Sequence, residues 1–183
     1  MLFSFGHSTR SADEIVALLR AHDIERVADV RAYPGSRRFP YVGSDAMRGW
    51  LGDAGIEYVH MPALGGRRRP QPDSPNGGWT NAQFQGYADH MASAEFQAGL
   101  AQLLALCASA RTTCMCSEAQ WWRCHRRMIC DAALVAGGSA LHIMSAARAV
   151  PHELTPFAHV SEDGRLTYPP TLEACPTSAS KST

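Results

Sequence analysis

Residues 114–127, CMCSEAQWWRCHRR, bring together thiols, a carboxylate, an imidazole and guanidinium groups in one short stretch. Among these groups a cysteine thiolate is the nucleophile, and cations and helix N-termini favour its formation. Cys124 lies at the predicted start of a helix beside His125 and Arg126, an environment that favours its ionisation. Cys116, at the end of a predicted strand, is the second candidate nucleophile. Either cysteine can instead be a small buried residue, since free cysteine is often buried.

Proton transfer has two candidates in the same stretch, Glu118 and His125. Histidine titrates near neutral pH, and a carboxylate in a partly closed pocket has its pKa raised toward neutrality. We therefore assign these two side chains to acid–base chemistry.

Arginines supply a further kind of chemistry, because guanidinium groups bind phosphate and carboxylate through two parallel hydrogen bonds. Trp121 and Trp122 could stack on a base beside them, or one of them could cap the core. Residues 67–69 can be read either as part of the site or as a solvated face. Such a site would suit a nucleotide or one flipped nucleotide of a polynucleotide. The arginines expected there are Arg10, Arg31, Arg37 and Arg126.

Several candidate residues are also metal-ligand types, and three of them with water could hold a catalytic zinc ion. No C-x-x-C pair accompanies them, and a carboxylate two residues after a strand cysteine is not a zinc signature. We therefore predict no cofactor and no metal, with zinc or another divalent ion as the less favoured alternative. The ligand types are Cys116, Glu118, Cys124, His125 and His7.

Composition favours a soluble protein with one core. The 183 residues are 45% hydrophobic with a formal net charge of zero, which argues against a nonspecific nucleic-acid coat. No run reaches the roughly 18 apolar residues that span a bilayer. Without an apolar leader, we expect reduced cysteines and a cytoplasmic location. We expect one domain over residues 1–172 and a flexible tail over 173–183.

Short apolar runs alternate with helical patterns along the chain. The runs predict strands at 2–5, 26–30, 56–61, 112–116 and 139–144, and 163–170 could add a short edge strand. Helices are predicted at 11–22, 44–54, 80–109 (one or two helices) and 124–138, with capping boxes at Ser11–Glu14 and Thr80–Gln83. Strands separated by helices imply a three-layer α/β sandwich around a mostly parallel, roughly five-stranded sheet.

The unusual residues follow the predicted strands. GHSTR follows the first strand, residues 31–38 the second, LGGRRR the third and residues 117–127 the fourth. Because open parallel sheets bind ligands beyond the carboxyl ends of their strands, we expect these segments to share one site. The long segment 64–79, rich in Gly and Pro, is expected to be a functional or disordered loop.

Five ordered motifs carry a resemblance to a known family. GHSTR, ADVRAYPGSRRF, GIEYVHMPALGG, C-x-E and CHR resemble the family called domain of unknown function 488 (DUF488), over about residues 2–170. The resemblance implies the fold and the site's location rather than a reaction. It implies the site positions, and their roles are assigned here from their chemistry. We assign catalysis to Glu118, His125, Cys124, Cys116 and His7. We assign substrate binding to Ser8, Arg10, Asp29, Arg31, Arg37, Gly65, Gly66 and Arg126, and expect Asp29 to orient an arginine.

Three functional hypotheses remain open. The first is an enzyme, a hydrolase or a transferase, whose substrate is a phosphate-bearing nucleotide or nucleic-acid end. The second is a binding module for the same partners without catalysis. The third is rhodanese-like sulfur or phosphoryl transfer through Cys116, since DVR and the strand–cysteine–loop–arginine–helix order resemble that class. No membrane partner is expected, and the oligomeric state stays open.

Overall fold

The computed structural model describes residues 1–170, and its main sheet has six strands. They are β1 (Leu2–Gly6), β2 (Arg26–Asp29), β3 (Glu57–His60), β4 (Thr112–Cys116), β5 (Ala140–Ser145) and β6 (Arg148–Pro151). Their order is β3-β2-β4-β1-β5-β6, and every pairing is parallel except β5 with β6. All five predicted strands of the parallel part are confirmed. The predicted tail, residues 173–183, lies outside the described residues.

Five helices cover the two faces of this sheet. They are α1 (Ala12–Arg20), α2 (Ser44–Asp53), α3 (Ala82–Met91), α4 (Ala94–Ser109) and α5 (Arg126–Val135). Along β1, Phe3 and Phe5 pack with Ile15 of α1 on one face, whereas Leu2 packs with Ile129 of α5 on the other. This alternation follows from the two-residue period of a strand and confirms the three-layer α/β sandwich.

The sheet region departs from the prediction at its edge. The sixth strand, β6, returns antiparallel to β5 through a tight turn, and its four residues are too few for a clear alternating pattern. The prediction that residues 163–170 add an edge strand to the main sheet is wrong. Leu166–Thr167 (β8) pairs with His159–Val160 (β7) in a separate two-stranded sheet.

Helix starts follow the side chains that cap them. The Ser11–Glu14 capping box is present with both of its hydrogen bonds. The box predicted at Thr80 is wrong, since the Asn81 side chain accepts the hydrogen bonds from the first turn of α3 instead. Ser93 caps α4, so the region 80–109 holds two helices. None of the helices in residues 1–170 is long and apolar enough to cross a membrane.

The loop after β3 is held by one buried carboxylate. Asp89 of α3 accepts hydrogen bonds from the Gln71 backbone at 2.8 Å, the Ser74 hydroxyl at 2.5 Å and the Asn76 amide at 2.8 Å. Asp89 is 6% exposed, so these bonds have little competition from water. The long Gly/Pro segment is therefore an ordered loop that lies beside the sheet's carboxyl edge.

We expect Asp89→Ala to release this loop, because three donors lose their shared acceptor in a buried position. Trypsin should then cut the native protein after Arg67 or Arg68 at least tenfold faster, as followed by mass spectrometry. Asp73→Asn changes an exposed carboxylate of the same loop and should leave the cleavage rate unchanged. Equal cleavage of both variants would show that Asp89 does not hold the loop.

Candidate functional site at the carboxyl ends of β1 and β4

The order of the strands places a crevice between β1 and β4. These neighbours are parallel, with Gly6 opposite Cys116 at their carboxyl ends. The chain leaves β1 toward α1 on one face and leaves β4 toward α5 on the other. Chain segments that diverge in this way open the ligand site typical of open α/β sheets. A cavity of about 430 Å³ lies there.

Eight predicted site residues line this cavity, and they come from four segments that are distant in sequence. They are His7, Ser8, Arg31, Gly66, Cys116, Glu118, Cys124 and His125. The geography predicted from the sequence thus holds for these residues. Arg10, Arg37, Gly65, Asp29 and Arg126 are not among the lining residues within 1–170.

Close backbone contacts shape the crevice. A Cβ added to Gly6 would lie 1.9 Å from the Glu118 carbonyl oxygen, so the turn after β4 packs directly against the end of β1. A Cβ at Gly66 would lie 3.0 Å from Nδ1 of His125. Gly6 therefore leaves no room for a side chain, and a side chain at Gly66 would press on the imidazole of His125.

The Cys124 thiol lies against a buried cation. Arg126 is fully buried at 0% exposure, and its Nε donates to Cys124 Sγ at 3.4 Å. Its other donors bind Ser4 Oγ at 3.1 Å and the Glu118 carbonyl oxygen. A hydrogen bond from the Cys116 thiol and the charge of Arg126 lower the pKa of Cys124 to about 6, against the effect of burial. Cys124 is therefore mostly a thiolate at neutral pH.

Cys116 behaves in the opposite way. Its hydrogen bond to Cys124, together with burial, raises the pKa of the Cys116 thiol to about 11. Cys116 therefore keeps its proton, although the sequence could not decide between the two cysteines. Of the two thiols, Cys124 is the one whose surroundings favour the anion.

His125 lies between the two sulfurs with a defined tautomer. Its Nε2 is 2.9 Å from the Val30 carbonyl oxygen, which can only accept, so Nε2 carries the proton and donates it. Nδ1 then lies 3.7 Å from Cys124 Sγ and 4.0 Å from Cys116 Sγ. The ring is consequently placed to accept the proton that Cys116 carries.

His7 and Arg31 form a second polar group in the cavity. The Arg31 guanidinium is 3.3 Å from Nε2 of His7, and Nδ1 of His7 donates to the Ser8 carbonyl oxygen at 2.9 Å. Burial and the charge of Arg31 lower the pKa of His7 to about 4. His7 is thus neutral at physiological pH and accepts a hydrogen bond from Arg31.

The carboxylate of Asp29 binds the Arg31 guanidinium and orients it. The carboxylate accepts from Arg31 Nε at 2.8 and 3.1 Å and from the Tyr58 hydroxyl at 2.6 Å. Asp29 is completely buried and Arg31 is 7% exposed. The carboxylate therefore orients the arginine toward the cavity and compensates its charge.

A buried polar chain that sequence reasoning missed lies behind Arg126. Ser4 Oγ, which accepts from Arg126, is 3.2 Å from His142, and His142 is 3.0 Å from His152. His152 in turn is 2.9 Å from the buried carboxylate of Asp131. No spacing in the sequence links these residues, because they come from β1, α5, β5 and the position after β6. The chain orients Ser4 and, through it, the guanidinium.

Several predicted residues have other surroundings than expected. Glu118 is exposed at the rim, where its carboxylate accepts from the Gln120 backbone at 3.0 Å, so the partly closed surroundings assumed for it are absent. Arg37 is exposed, and Arg10 donates to the Gly6 carbonyl oxygen at 2.8 Å. Arg126 lies beneath the thiols rather than in the cavity wall.

The two tryptophans do not line the site, which agrees with the alternative in which one of them caps the core. Trp121 stacks on His142 with ring centroids 4.0 Å apart and an angle of 6°, and so covers the buried polar chain. Trp122 is 42% exposed, and neither ring lines the cavity formed within residues 1–170. The aromatic lining comes instead from Tyr33, Phe39, Phe84 and Tyr87.

Two further arginines, Arg67 and Arg123, line the cavity together with Arg31. For residues 67–69 the sequence left two interpretations open, and the structure places Arg67 at the cavity. Arg123 is the arginine of the strand–cysteine–loop–arginine–helix order noted in the sequence, although it was not among the residues expected to bind substrate.

Within the described residues, one group could hold a metal ion. Ligand atoms of Cys116, Cys124 and His125 lie within 4.8 Å of one another. A divalent ion there would be buried beside the Arg126 guanidinium, whose Nε lies 3.4 Å from the Cys124 sulfur. Like charges so close repel strongly in a low dielectric. The geometry fits an anionic sulfur better than a metal centre.

Comparison with known proteins gives one match. Residues 11–133 match the model of a family described as "Domain of unknown function DUF488". No curated protein and no solved structure matches the chain significantly. The matched segment contains the cavity residues from Arg31 to His125 but ends before the β5–β6 hairpin.

Proposed function

The chain belongs to the DUF488 family, and for this member we propose a thiol-dependent enzyme that acts on a phosphate-bearing substrate, a nucleotide or a nucleic-acid end. Cys124 is the nucleophile in this proposal. The family description names no reaction, so the proposal depends on the cavity's own chemistry. It refines the sequence hypothesis by choosing between the two cysteines.

One observation carries the proposal: the fully buried guanidinium of Arg126 donates a hydrogen bond to the Cys124 sulfur. In residues 1–170 no aspartate or glutamate forms an ion pair with Arg126. A buried charge without a counter-charge is strongly unfavourable. The Cys124 sulfur, 3.4 Å from Nε, supplies that counter-charge at the wall of the cavity. A packed core has no use for this arrangement, whereas a cysteine nucleophile is activated by a neighbouring cation.

The phosphate group would be bound by arginines. Arg31, Arg67 and Arg123 all line the cavity, and Arg31 is held in place by Asp29. Guanidinium groups match phosphate oxygens in geometry and in charge. Neutral His7 and the hydroxyls of Ser8 and Ser117 could add uncharged hydrogen bonds.

The rest of the substrate would contact aromatic rings. Tyr33, 78% exposed at the rim, and Phe84 offer apolar faces near the arginines. A base stacks on such faces with little dependence on its sequence identity. This combination of arginines and aromatic rings is what favours a nucleotide or a nucleic-acid end over a bare phosphate ester.

Catalysis would proceed by covalent transfer. The Cys124 thiolate attacks the electrophilic centre of the bound substrate, and the leaving oxygen takes a proton from water at the rim. His125, through Nδ1, then accepts a proton from the water or the acceptor hydroxyl that releases the group from sulfur. Water as acceptor makes the enzyme a hydrolase, and a second substrate makes it a transferase.

We expect Cys124 to be alkylated selectively at mildly acidic pH. Iodoacetamide should modify Cys124 in the intact reduced protein with a rate midpoint near pH 6, because only the thiolate reacts. Peptide mass spectrometry would assign the modified residue. Inorganic phosphate or a nucleoside monophosphate should slow the reaction by occupying the arginines.

Cys107 provides the matched control, because burial raises the pKa of its thiol to about 11. Cys107→Ser should leave the alkylation profile unchanged, while Cys124→Ser should remove it. Uniformly slow alkylation of all cysteines up to pH 8 would contradict the proposal. Normal alkylation without protection by either phosphate probe would contradict the substrate class alone.

A further inference from the structure

We propose that Cys116 is the resolving thiol of Cys124, so that oxidation of the cavity by a hydroperoxide ends in a reversible Cys116–Cys124 disulfide. The inference rests on the proposed function and deepens it, because it assigns a protected, inactive state to the same nucleophile. The two cysteines would then form a modification site that neither the family match nor the catalytic proposal contains.

The geometry brings both sulfurs to one imidazole nitrogen. Cys116 Sγ, Cys124 Sγ and His125 Nδ1 lie within 4.8 Å of one another. Cys116 ends β4, whereas Cys124 precedes α5 and follows a single short helical turn, Trp121–Arg123. A disulfide bond of about 2.0 Å therefore needs the sulfurs to approach without a change in the sheet. Rotation of the two cysteine side chains supplies this approach, because Gly6 and Arg126 hold the backbone at Glu118.

The two thiols divide the roles of a redox pair. The sulfur beside Arg126 is the anion that attacks an oxidant, since reactivity toward peroxide follows thiolate character. Cys116 stays protonated in the reduced protein, because its pKa is raised to about 11. Nδ1 of His125, 4.0 Å from Cys116 Sγ, can accept its proton when it is needed.

The proposed steps balance in atoms and electrons. The Cys124 thiolate attacks one peroxide oxygen, the O–O bond breaks, and the second oxygen leaves as hydroxide and is protonated to water. Cys124 becomes a sulfenic acid. Cys116 then loses its proton to Nδ1 of His125 and attacks Cys124 Sγ, and the hydroxyl group leaves as a second water. Two thiols have been oxidised to one disulfide, and one peroxide has been reduced to two waters.

The other described cysteines are excluded from this chemistry by position. Cys114 and Cys130 are fully buried, and neither they nor Cys107 lines the cavity within residues 1–170. A small oxidant in the cavity therefore meets two sulfurs that lie within 4.8 Å of each other. Without Cys116, no other cysteine of residues 1–170 lines the cavity, so the sulfenic acid of Cys124 would persist or oxidise further.

The test treats the reduced full-length protein with hydrogen peroxide in the presence of dimedone, which traps sulfenic acids. The native chain should yield a Cys116–Cys124 disulfide that dithiothreitol reverses, with little trapped adduct. Cys116→Ser should accumulate the dimedone adduct on Cys124 at least tenfold more. Peptide mapping under non-reducing conditions distinguishes the products, and Cys107→Ser should match the native chain.

Two results would overturn the inference. One is equal trapping on Cys124 with and without Cys116, and the other is a disulfide from Cys124 to a different cysteine. The alkylation profile of the reduced protein separates this failure from that of the proposed function. A normal profile without the disulfide removes the redox role alone, whereas a featureless profile removes the nucleophile and with it both proposals.

Discussion

Arg126→Met should slow alkylation of Cys124 at pH 7 roughly tenfold or more, because the thiolate loses its counter-charge. In the native protein, burial opposes ionisation of Cys124, while the Cys116 thiol and Arg126 favour it. Without the guanidinium, the effect of burial is less opposed, and the pKa of Cys124 should rise from about 6 toward or beyond the usual ~8.5. The rate midpoint of alkylation against pH measures this shift directly.

Controls separate the charge from the loss of a large buried side chain. Arg126→Lys keeps a cation and should retain part of the shift. Arg127→Met, on the next residue, removes an arginine that donates to Thr155 rather than to a thiol, and should leave the midpoint near pH 6. Far-ultraviolet circular dichroism shows that each variant is folded. An unchanged midpoint in folded Arg126→Met would contradict the ion pair on which the proposed function depends.

Asp29→Ala should reduce the free energy of unfolding by about 3–5 kcal/mol, the effect expected when one partner of a buried ion pair is removed. Arg31 would remain almost buried without a carboxylate, and the Tyr58 hydroxyl would lose its acceptor. Arg31 would also lose the contact that directs it toward the cavity. Protection of Cys124 by inorganic phosphate should therefore weaken in the same variant. Urea denaturation measures the first effect and competition in alkylation the second.

A solvent-exposed ion pair provides the control for this effect on stability. Arg48 and Asp45 lie at 3.2 Å on α2 with both side chains largely exposed, and Asp45→Ala should leave the stability unchanged within error. The double variant Asp29→Ala/Arg31→Met should recover part of the loss, because no buried charge is then left alone. A loss below about 1 kcal/mol in Asp29→Ala would show that Arg31 is solvated from the cavity.

The sequence alone was sufficient for the layered fold and for the location of the site. Hydrophobic periods separate strands from helices locally, and parallel pairing then collects the segments after the strands at one edge. The positions of His7, Arg31, Cys116, Cys124 and His125 around one cavity followed from this topology. The short β6 and the start of α3 escaped prediction, because a four-residue strand and a one-residue shift of a cap leave almost no pattern.

Only the tertiary structure decided which side chain does what. Ionisation of Cys124 rather than Cys116 depends on the direction of Arg126 and on a sulfur from another segment, and no local pattern encodes either. Arg126 points inward because Ser4, on β1, and the histidines behind it provide a polar chain in the core. Trp121 stacks on His142, a member of this polar chain, and so does not face a substrate. Charge and burial at a site are sums over neighbours distant in sequence, so they exist only once the chain has packed.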